Sequence, residues 1–258
     1  MEGIKILAYP YNTSREEKWR FIEQIKDRLL AKHEDIIIAI GVYGSIGQHS
    51  DGAYSDIELH VVTKDGTSIA ELEIVYPPFK LEIGVTERTK WLAKLRRVDD
   101  SWAIWYGAFV HIISLYDPEG FFATVKKLEL SISDEKIKTI MREFMIWEPY
   151  ETMGKIRNCY NNGDLTYLSR AAYDITWQTA KLIGLANKQY YSTRAATYKE
   201  SLLMPSIPSG YQALVAKVIE GDLRNKEGLY HLCEDLWTGL NEWYLQLGIV
   251  YVSKELSI

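Results

Sequence analysis

The alternation of apolar and polar residues predicts a β-sheet in the first half of the chain. The solid apolar run 36–40 is typical of a strand buried on both faces. In segment 56–62 the residues Ile57, Leu59 and Val61 share one face, so Asp56 and Glu58 lie on the other. Five strands are expected, at 36–40, 56–62, 72–76, 79–85 and 109–116.

Helical spacing dominates the second half. A capping box at Thr13 to Glu16 predicts a helix over about 14–32, and two more helices are expected near 86–97 and 117–130. After Ser133 the pattern is almost wholly helical, with helices expected at 134–162 (interrupted by Pro149), 165–187, 194–203, 209–220 and 222–246. The pattern predicts an α+β protein: an N-terminal mixed-sheet domain at 1–130, then a C-terminal helical bundle at 131–258.

Composition narrows the class of protein. The chain has 258 residues, 47% of them apolar and 25% charged, which is typical of a globular protein. The net charge of −5 argues against a general nucleic-acid binder, because that binding depends on neutralising phosphates. Two cysteines, Cys159 and Cys233, indicate free thiols. No signal peptide or membrane-length apolar run is found, so a cytoplasmic location is expected.

The stretch from Gly41 to Glu58 carries the candidate chemistry. Gly44, Ser45 and Gly47 follow the first buried strand and predict a tight turn where backbone N–H groups and a hydroxyl can approach a phosphate. Asp56 and Glu58 then share one strand face and can hold Mg²⁺ against a nucleotide. Either feature alone is common surface chemistry. Their order and short spacing favour a nucleotide site.

This stretch resembles the nucleotidyltransferase superfamily. Two segments carry the resemblance: Gly-Val-Tyr-Gly-Ser-Ile-Gly and, after it, Asp-Gly-Ala-Tyr-Ser-Asp-Ile-Glu. Its amino-acid sequence is more similar still to that of the kanamycin nucleotidyltransferases, a family of aminoglycoside 4'-O-nucleotidyltransferases. The resemblance implies a nucleotidyltransferase domain with ATP as co-substrate and Mg²⁺ as cofactor. The implied metal ligands are Asp56, Glu58 and Glu82, and the implied nucleotide contacts are Gly44, Ser45, Ser55 and Lys155.

A second motif, Glu151-Thr-Met-Gly-Lys-Ile-Arg-Asn158, lies in the helical half. On a helix Glu151 and Lys155 share a face, and by itself the spacing favours an ordinary surface ion pair. The family has a similar stretch. That resemblance implies that Glu151 is the general base, that Lys155 contacts phosphates, and that both serve the cleft of the partner in a homodimer. An acidic lining of Glu73, Glu82, Glu148 and Glu151 would suit a cationic aminoglycoside.

Two departures from the family pattern bear on the site. Gln48 stands where the family often has Arg, and Pro149 lies beside the proposed base. The predicted function is Mg²⁺-dependent transfer of AMP from ATP to a hydroxyl of an aminoglycoside, at the 4' position, with release of pyrophosphate and resulting drug resistance. Two alternatives stay open. One is nucleotidyl transfer to another small molecule or a protein. The other is a non-catalytic, antitoxin-like interaction protein on the same fold.

Overall fold

The computed structural model describes residues 7–127 and 132–256. By its contacts the chain divides into two compact units. The first comprises Met1–Arg97 and Tyr106–Leu130, and the second comprises Val98–Trp105 and Ser131–Ile258. The segment Val98–Trp105 contacts the rest of the second unit; for example, the Ala103 carbonyl accepts a 2.8 Å hydrogen bond from the Tyr191 N–H.

The described residues form five strands and twelve helices. The strands are β1 (Ile37–Val42), β2 (Ile57–Thr63), β3 (Leu72–Tyr76), β4 (Phe79–Glu87) and β5 (Ile113–Tyr116). The helices are α1 (Arg15–His33), α2 (Gly44–Gly47), α3 (Arg88–Arg96), α4 (Trp102–Trp105), α5 (Gly107–Val110), α6 (Phe121–Val125), α7 (Asp134–Trp147), α8 (Pro149–Asn162), α9 (Leu168–Ala186), α10 (Thr197–Ser201), α11 (Tyr211–Glu220) and α12 (Lys226–Gln246).

The first unit is built on a mixed sheet with strand order β3-β4-β2-β1-β5. β2 and β4 run parallel, and the other neighbouring pairs are antiparallel. Every residue of β1 is buried, as its apolar run predicted. Ile22 and Ile25 of α1 pack in the same core as Ile40 of β1 and Leu59 of β2, so α1 covers one sheet face. The predicted α+β class, with the sheet in the N-terminal half, is confirmed.

Several predicted element bounds differ from the structure, and three of them are in the first unit. The capping box of α1 uses Ser14 and Glu17, one residue later than predicted. Strand β5 begins only at Ile113, because the residues before it form α5. α6 is much shorter than the predicted 117–130 helix, although Asp117 does accept the Phe121 and Phe122 N–H bonds at its start. Residues 128–130 of that prediction lie outside the described residues.

The second unit is helical, as predicted for this part of the chain. α7 and α8 meet at Glu148, and Pro149 is the first residue of α8, where its missing N–H is tolerated. α9 is the most buried helix and packs against α7, α8, α10, α11 and α12. Across the described ranges, no helix is both long and apolar enough to cross a membrane.

Candidate active site

The glycine-serine segment after β1 is a single helical turn, α2, and Gly44 begins it. Gly44 has φ +65°, a conformation that residues with a Cβ rarely adopt. A Cβ built on Gly44 would also overlap the Glu58 carboxylate. The segment and the acidic strand are therefore in direct contact, and this contact requires a glycine.

Three glutamates form a row across the sheet. Glu58 of β2 is directly opposite Glu82 of β4, and Glu82 is directly opposite Glu73 of β3. Asp56 immediately precedes β2. Neighbouring strands lie about 4.8 Å apart, and like charges placed opposite one another destabilise a sheet. We call Asp56, Glu58, Glu73 and Glu82 the acidic row.

The charges of the acidic row are only partly balanced by the protein. The Lys80 Nζ lies 3.1 Å from Asp56 Oδ2 and 3.3 Å from Glu73 Oε1. The Tyr43 hydroxyl donates a 2.9 Å hydrogen bond to Glu82 Oε1. Burial, together with the charges of Asp56 and Glu82, raises the pKa of Glu58 to about 7. The site thus holds more negative charge than it neutralises.

This donor set fits a divalent cation. Mg²⁺ prefers oxygen ligands and is commonly held by one or two carboxylates together with substrate phosphates, not by a complete protein cage. Asp56 and Glu58 supply such a pair. The pKa of Glu58 is raised first by burial and then by the negative charges of Asp56 and Glu82, and a cation bound here would offset those charges. Within the described parts of the chain, no three His, Cys, Asp or Glu side chains are already arranged around a metal position.

Both serines of the first motif, Ser45 and Ser55, accept hydrogen bonds from backbone N–H groups of the loop that joins α2 to β2. The Ser55 hydroxyl accepts a 2.9 Å hydrogen bond from the Gly52 N–H, which closes the turn before Asp56. The Ser45 carbonyl accepts a 2.9 Å bond from the Ser50 N–H. Both serine side chains are half-buried, and their proposed phosphate contacts stay predictions.

The loop is also held by a buried ion pair that the sequence pattern did not reveal. The side chains of Lys18 on α1 and Asp51 in the loop are 1% and 2% exposed, with Nζ and Oδ2 3.5 Å apart. Lys18 also donates to the Gly52 carbonyl, and Arg15 pairs with Asp51 at 2.5 Å. A lysine on a predicted amphipathic helix gives no signal of burial, so only the structure identifies this contact.

Replacing Lys18 by Met should destabilise the protein, because it leaves the Asp51 carboxylate buried with one cation fewer. We expect the free energy of unfolding to fall by about 3 kcal/mol. Urea denaturation of the wild type and the variant measures this difference. Lys26→Met on the same helix is the control, since Lys26 pairs with exposed carboxylates and should change stability by less than about 0.5 kcal/mol. Equal effects of the two variants would contradict the assigned role of Lys18.

Glu58→Gln should stabilise the protein in the presence of a chelator at high pH. The pKa of Glu58 is raised from 4.5 to about 7, so the folded state keeps a proton that the unfolded state releases. Stability should therefore fall as the pH rises from about 4.5 to about 7 and then level off. We expect Glu58→Gln to be about 1–3 kcal/mol more stable than wild type at pH 8, and equal to it at pH 4. Denaturation at both pH values measures the difference; a gap that is the same at both would be inconsistent with the titration.

The second motif lies on α8 in the second unit. Glu151 Oε1 and Lys155 Nζ form a 2.8 Å ion pair, with the two side chains 59% and 52% exposed. The hydrogen bond that Lys155 donates to the Glu151 carboxylate raises the pKa of Lys155. Glu148 accepts a 3.0 Å hydrogen bond from the Gln178 amide and lines a cavity of about 420 Å³ with Asp99, Asp100 and Glu143.

The structure thus brings the predicted site residues into two groups. In the first unit Gly44 and the acidic row are adjacent, with Ser45 and Ser55 in the segments that lead to them. In the second unit Glu148 immediately precedes α8, and Glu151 and Lys155 lie in its first half. The residues that the sequence analysis missed are Tyr43, Lys80 and Lys18, and for Tyr43 the signal was its place inside the first motif.

The five-stranded mixed sheet, with its glycine-serine turn against strand carboxylates, is similar in fold to a solved nucleotidyltransferase-like protein. The crystal structure of a nucleotidyltransferase-like protein from Exiguobacterium sibiricum 255-15 has this fold, with a TM-score of 0.55 at 13% identity over 88% of this chain and 77% of that one. The model of the KNTase C-terminal domain family matches residues 119–250.

Two curated relatives are similar over nearly the whole chain. They are the aminoglycoside nucleotidyltransferases (4') of Bacillus sp. and Staphylococcus aureus, each 32% identical over 248 residues, 96% of this chain and 98% of the relative. The chain therefore belongs to the aminoglycoside (4') nucleotidyltransferase family, a family of transferase enzymes. The predicted membership of this family is confirmed.

Proposed function

We propose that this enzyme transfers AMP from ATP to the 4' hydroxyl of an aminoglycoside, with Mg²⁺ as cofactor and pyrophosphate as the second product. The observation that carries the proposal is the acidic row beside Gly44. The four carboxylates carry surplus negative charge that can bind a cation. The adjacent glycine-serine turn can bind a phosphate group of a nucleotide.

The proposed roles follow from the chemistry of each residue. Asp56 and Glu58, aided by Glu82, would hold Mg²⁺, which neutralises the charge of the triphosphate and of the leaving pyrophosphate. The phosphate oxygens are contacted by Gly44, Ser45 and Ser55. The positively charged ammonium group of Lys155 contacts the same phosphates. Glu151 accepts the proton of the attacking hydroxyl. The hydroxyl oxygen forms a bond to the α-phosphorus as the bond to the β-phosphate oxygen breaks.

Charge also favours a polycationic acceptor. Glu73 and Glu82 in the first unit, and Glu148 with the acidic cavity around it in the second unit, offer carboxylates for ammonium groups. A net charge of −5 acts in the same direction.

A transfer assay tests the proposal. Purified enzyme, Mg²⁺ and α-labelled ATP are incubated with kanamycin, and label in the drug is measured together with pyrophosphate. We expect label and pyrophosphate to appear in equal amounts, with NMR of the product placing AMP on the 4' oxygen. Pyrophosphate without labelled drug would favour another acceptor. The absence of both, with a partner protein captured instead, would favour the non-catalytic alternative.

We also propose that two copies of the chain form a dimer in which Glu151 and Lys155 of one copy serve the cleft of the other. The family resemblance of the second motif supports this arrangement. Trp147 and Tyr150, which flank the Glu151 turn, are largely exposed aromatic residues in the single chain. Light scattering at enzyme concentrations from nanomolar to micromolar measures the oligomeric state.

A further inference from the structure

Tyr43 forms hydrogen bonds to two neighbouring strands, β2 and β4, at the acidic row. Its backbone N–H donates a 3.0 Å hydrogen bond to the Glu58 carbonyl on β2. Its hydroxyl donates a 2.9 Å hydrogen bond to Glu82 Oε1 on β4. One residue is therefore bonded to both glutamates that lie side by side in the register.

The ring of Tyr43 is held on its face by His60. The two rings stack with centroids 4.0 Å apart and an angle of 15° between their planes. His60 is itself fixed, because Nε2 donates a 3.0 Å hydrogen bond to the Ala108 carbonyl and the ring contacts Trp91 edge-on at 5.7 Å. The phenol can hardly move without disturbing this packed aromatic cluster.

A glutamate side chain on a strand has three rotatable bonds, and ordering it opposes cation binding through lost conformational entropy. A fixed hydrogen-bond donor to one carboxylate oxygen selects one orientation of the glutamate side chain. The other carboxylate oxygen stays available to bind the cation. Lys80 contacts Asp56 and Glu73 but has no described contact with Glu82, so the orienting contact on Glu82 comes from Tyr43.

We propose that Tyr43, braced by His60, is a positioning residue that fixes the Glu82 carboxylate for cation binding. The inference rests on the proposed function, in which Glu82 helps to hold Mg²⁺. It assigns Tyr43 no direct contact with substrate. Its effect should therefore appear in the Mg²⁺ dependence of the reaction and be small once Mg²⁺ is saturating.

Tyr43→Phe removes the hydroxyl and keeps the stacked ring. We expect the half-saturating Mg²⁺ concentration to rise about tenfold, while kcat at saturating Mg²⁺ falls less than about threefold. The thermal midpoint should stay near the wild-type value. Tyr76→Phe is the matched control, since Tyr76 also stacks on a ring, Phe21 at 5.6 Å, and lies on the exposed edge strand.

The double variant with Glu82→Gln separates this inference from the proposed function. If Glu82→Gln raises the Mg²⁺ requirement and Tyr43→Phe adds nothing in that background, Tyr43 acts through Glu82. If Glu82→Gln is defective and Tyr43→Phe equals wild type, the positioning role is overturned. Additive effects of the two changes also overturn it. If Glu82→Gln itself leaves the Mg²⁺ dependence unchanged, the proposed metal role of Glu82 fails.

Discussion

Asp56→Asn is expected to lower kcat by about 10³-fold or more while leaving the protein folded. The substitution removes one of the two carboxylates proposed to hold the cation, and an amide is a much weaker ligand for Mg²⁺. Asp56 is 34% exposed, and its described side-chain contact is with Lys80. Losing that exposed pair should change the free energy of unfolding by less than about 1 kcal/mol.

Turnover of ATP and kanamycin at several Mg²⁺ concentrations measures this loss, and urea denaturation checks the fold. Asp27→Asn is the matched control, since it removes one exposed carboxylate from α1. It should retain full activity. An Asp56→Asn enzyme with more than about a tenth of wild-type kcat would show that Asp56 is not an essential ligand. Rescue by Mn²⁺ would instead support a role in cation binding.

Alternation along single strands was sufficient to predict which way the acids point. Glu58 and Glu82 each lie between buried apolar residues of their own strand, and both face away from the core, as the sequence indicated. Their direct opposition could not be predicted in the same way. It depends on β4 pairing in parallel with β2, while β3, which lies between them in sequence, pairs on the outer side. Strand order is a property of the whole sheet.

Contacts made by ordinary polar residues were the least predictable part of the site. Lys18 and Lys80 occur where an exposed lysine is expected on a helix and on a strand. Lys18 is buried only because the loop containing Asp51 and Gly52 folds over it. Lys80 contacts two acids only because β3 and the start of β2 flank its strand. The Lys18–Asp51 and Lys80–Asp56 contacts join segments far apart in sequence, which local patterns do not specify.

The second motif shows what helical spacing alone can and cannot predict about a functional residue. Helical spacing predicted that Glu151 and Lys155 share a face, and the 2.8 Å ion pair confirms it. The same geometry occurs between Glu16 and Arg20 in the first turns of α1, at 3.0 Å. Geometry within one helix therefore does not separate a catalytic glutamate from a surface one. The family resemblance supports the catalytic role, and kinetics must test it.

Glu151→Gln is expected to lower kcat by about 10²–10⁴-fold, because the amide cannot accept the proton of the attacking hydroxyl. The KM values for ATP and kanamycin should change much less, since the side chain keeps its size. Glu16→Gln is the matched control: it removes a glutamate from the first turn of a helix and breaks the same kind of pair. It should be fully active. Full activity of Glu151→Gln would rule out its role as the base.

Mixing two inactive variants tests whether the site is shared between copies. An Asp56→Asn chain contributes an intact Glu151, and a Glu151→Gln chain contributes an intact Asp56. If Glu151 of one copy serves the cleft of the other, each mixed dimer contains one complete site, and equal mixing should restore about a quarter of wild-type activity. If each chain uses its own Glu151, no mixed dimer contains a complete site, and mixing restores nothing. Activity is measured after the variants are denatured together and refolded, with each refolded alone as the control. Recovery would place the proposed base and the acidic row on different subunits of one active site.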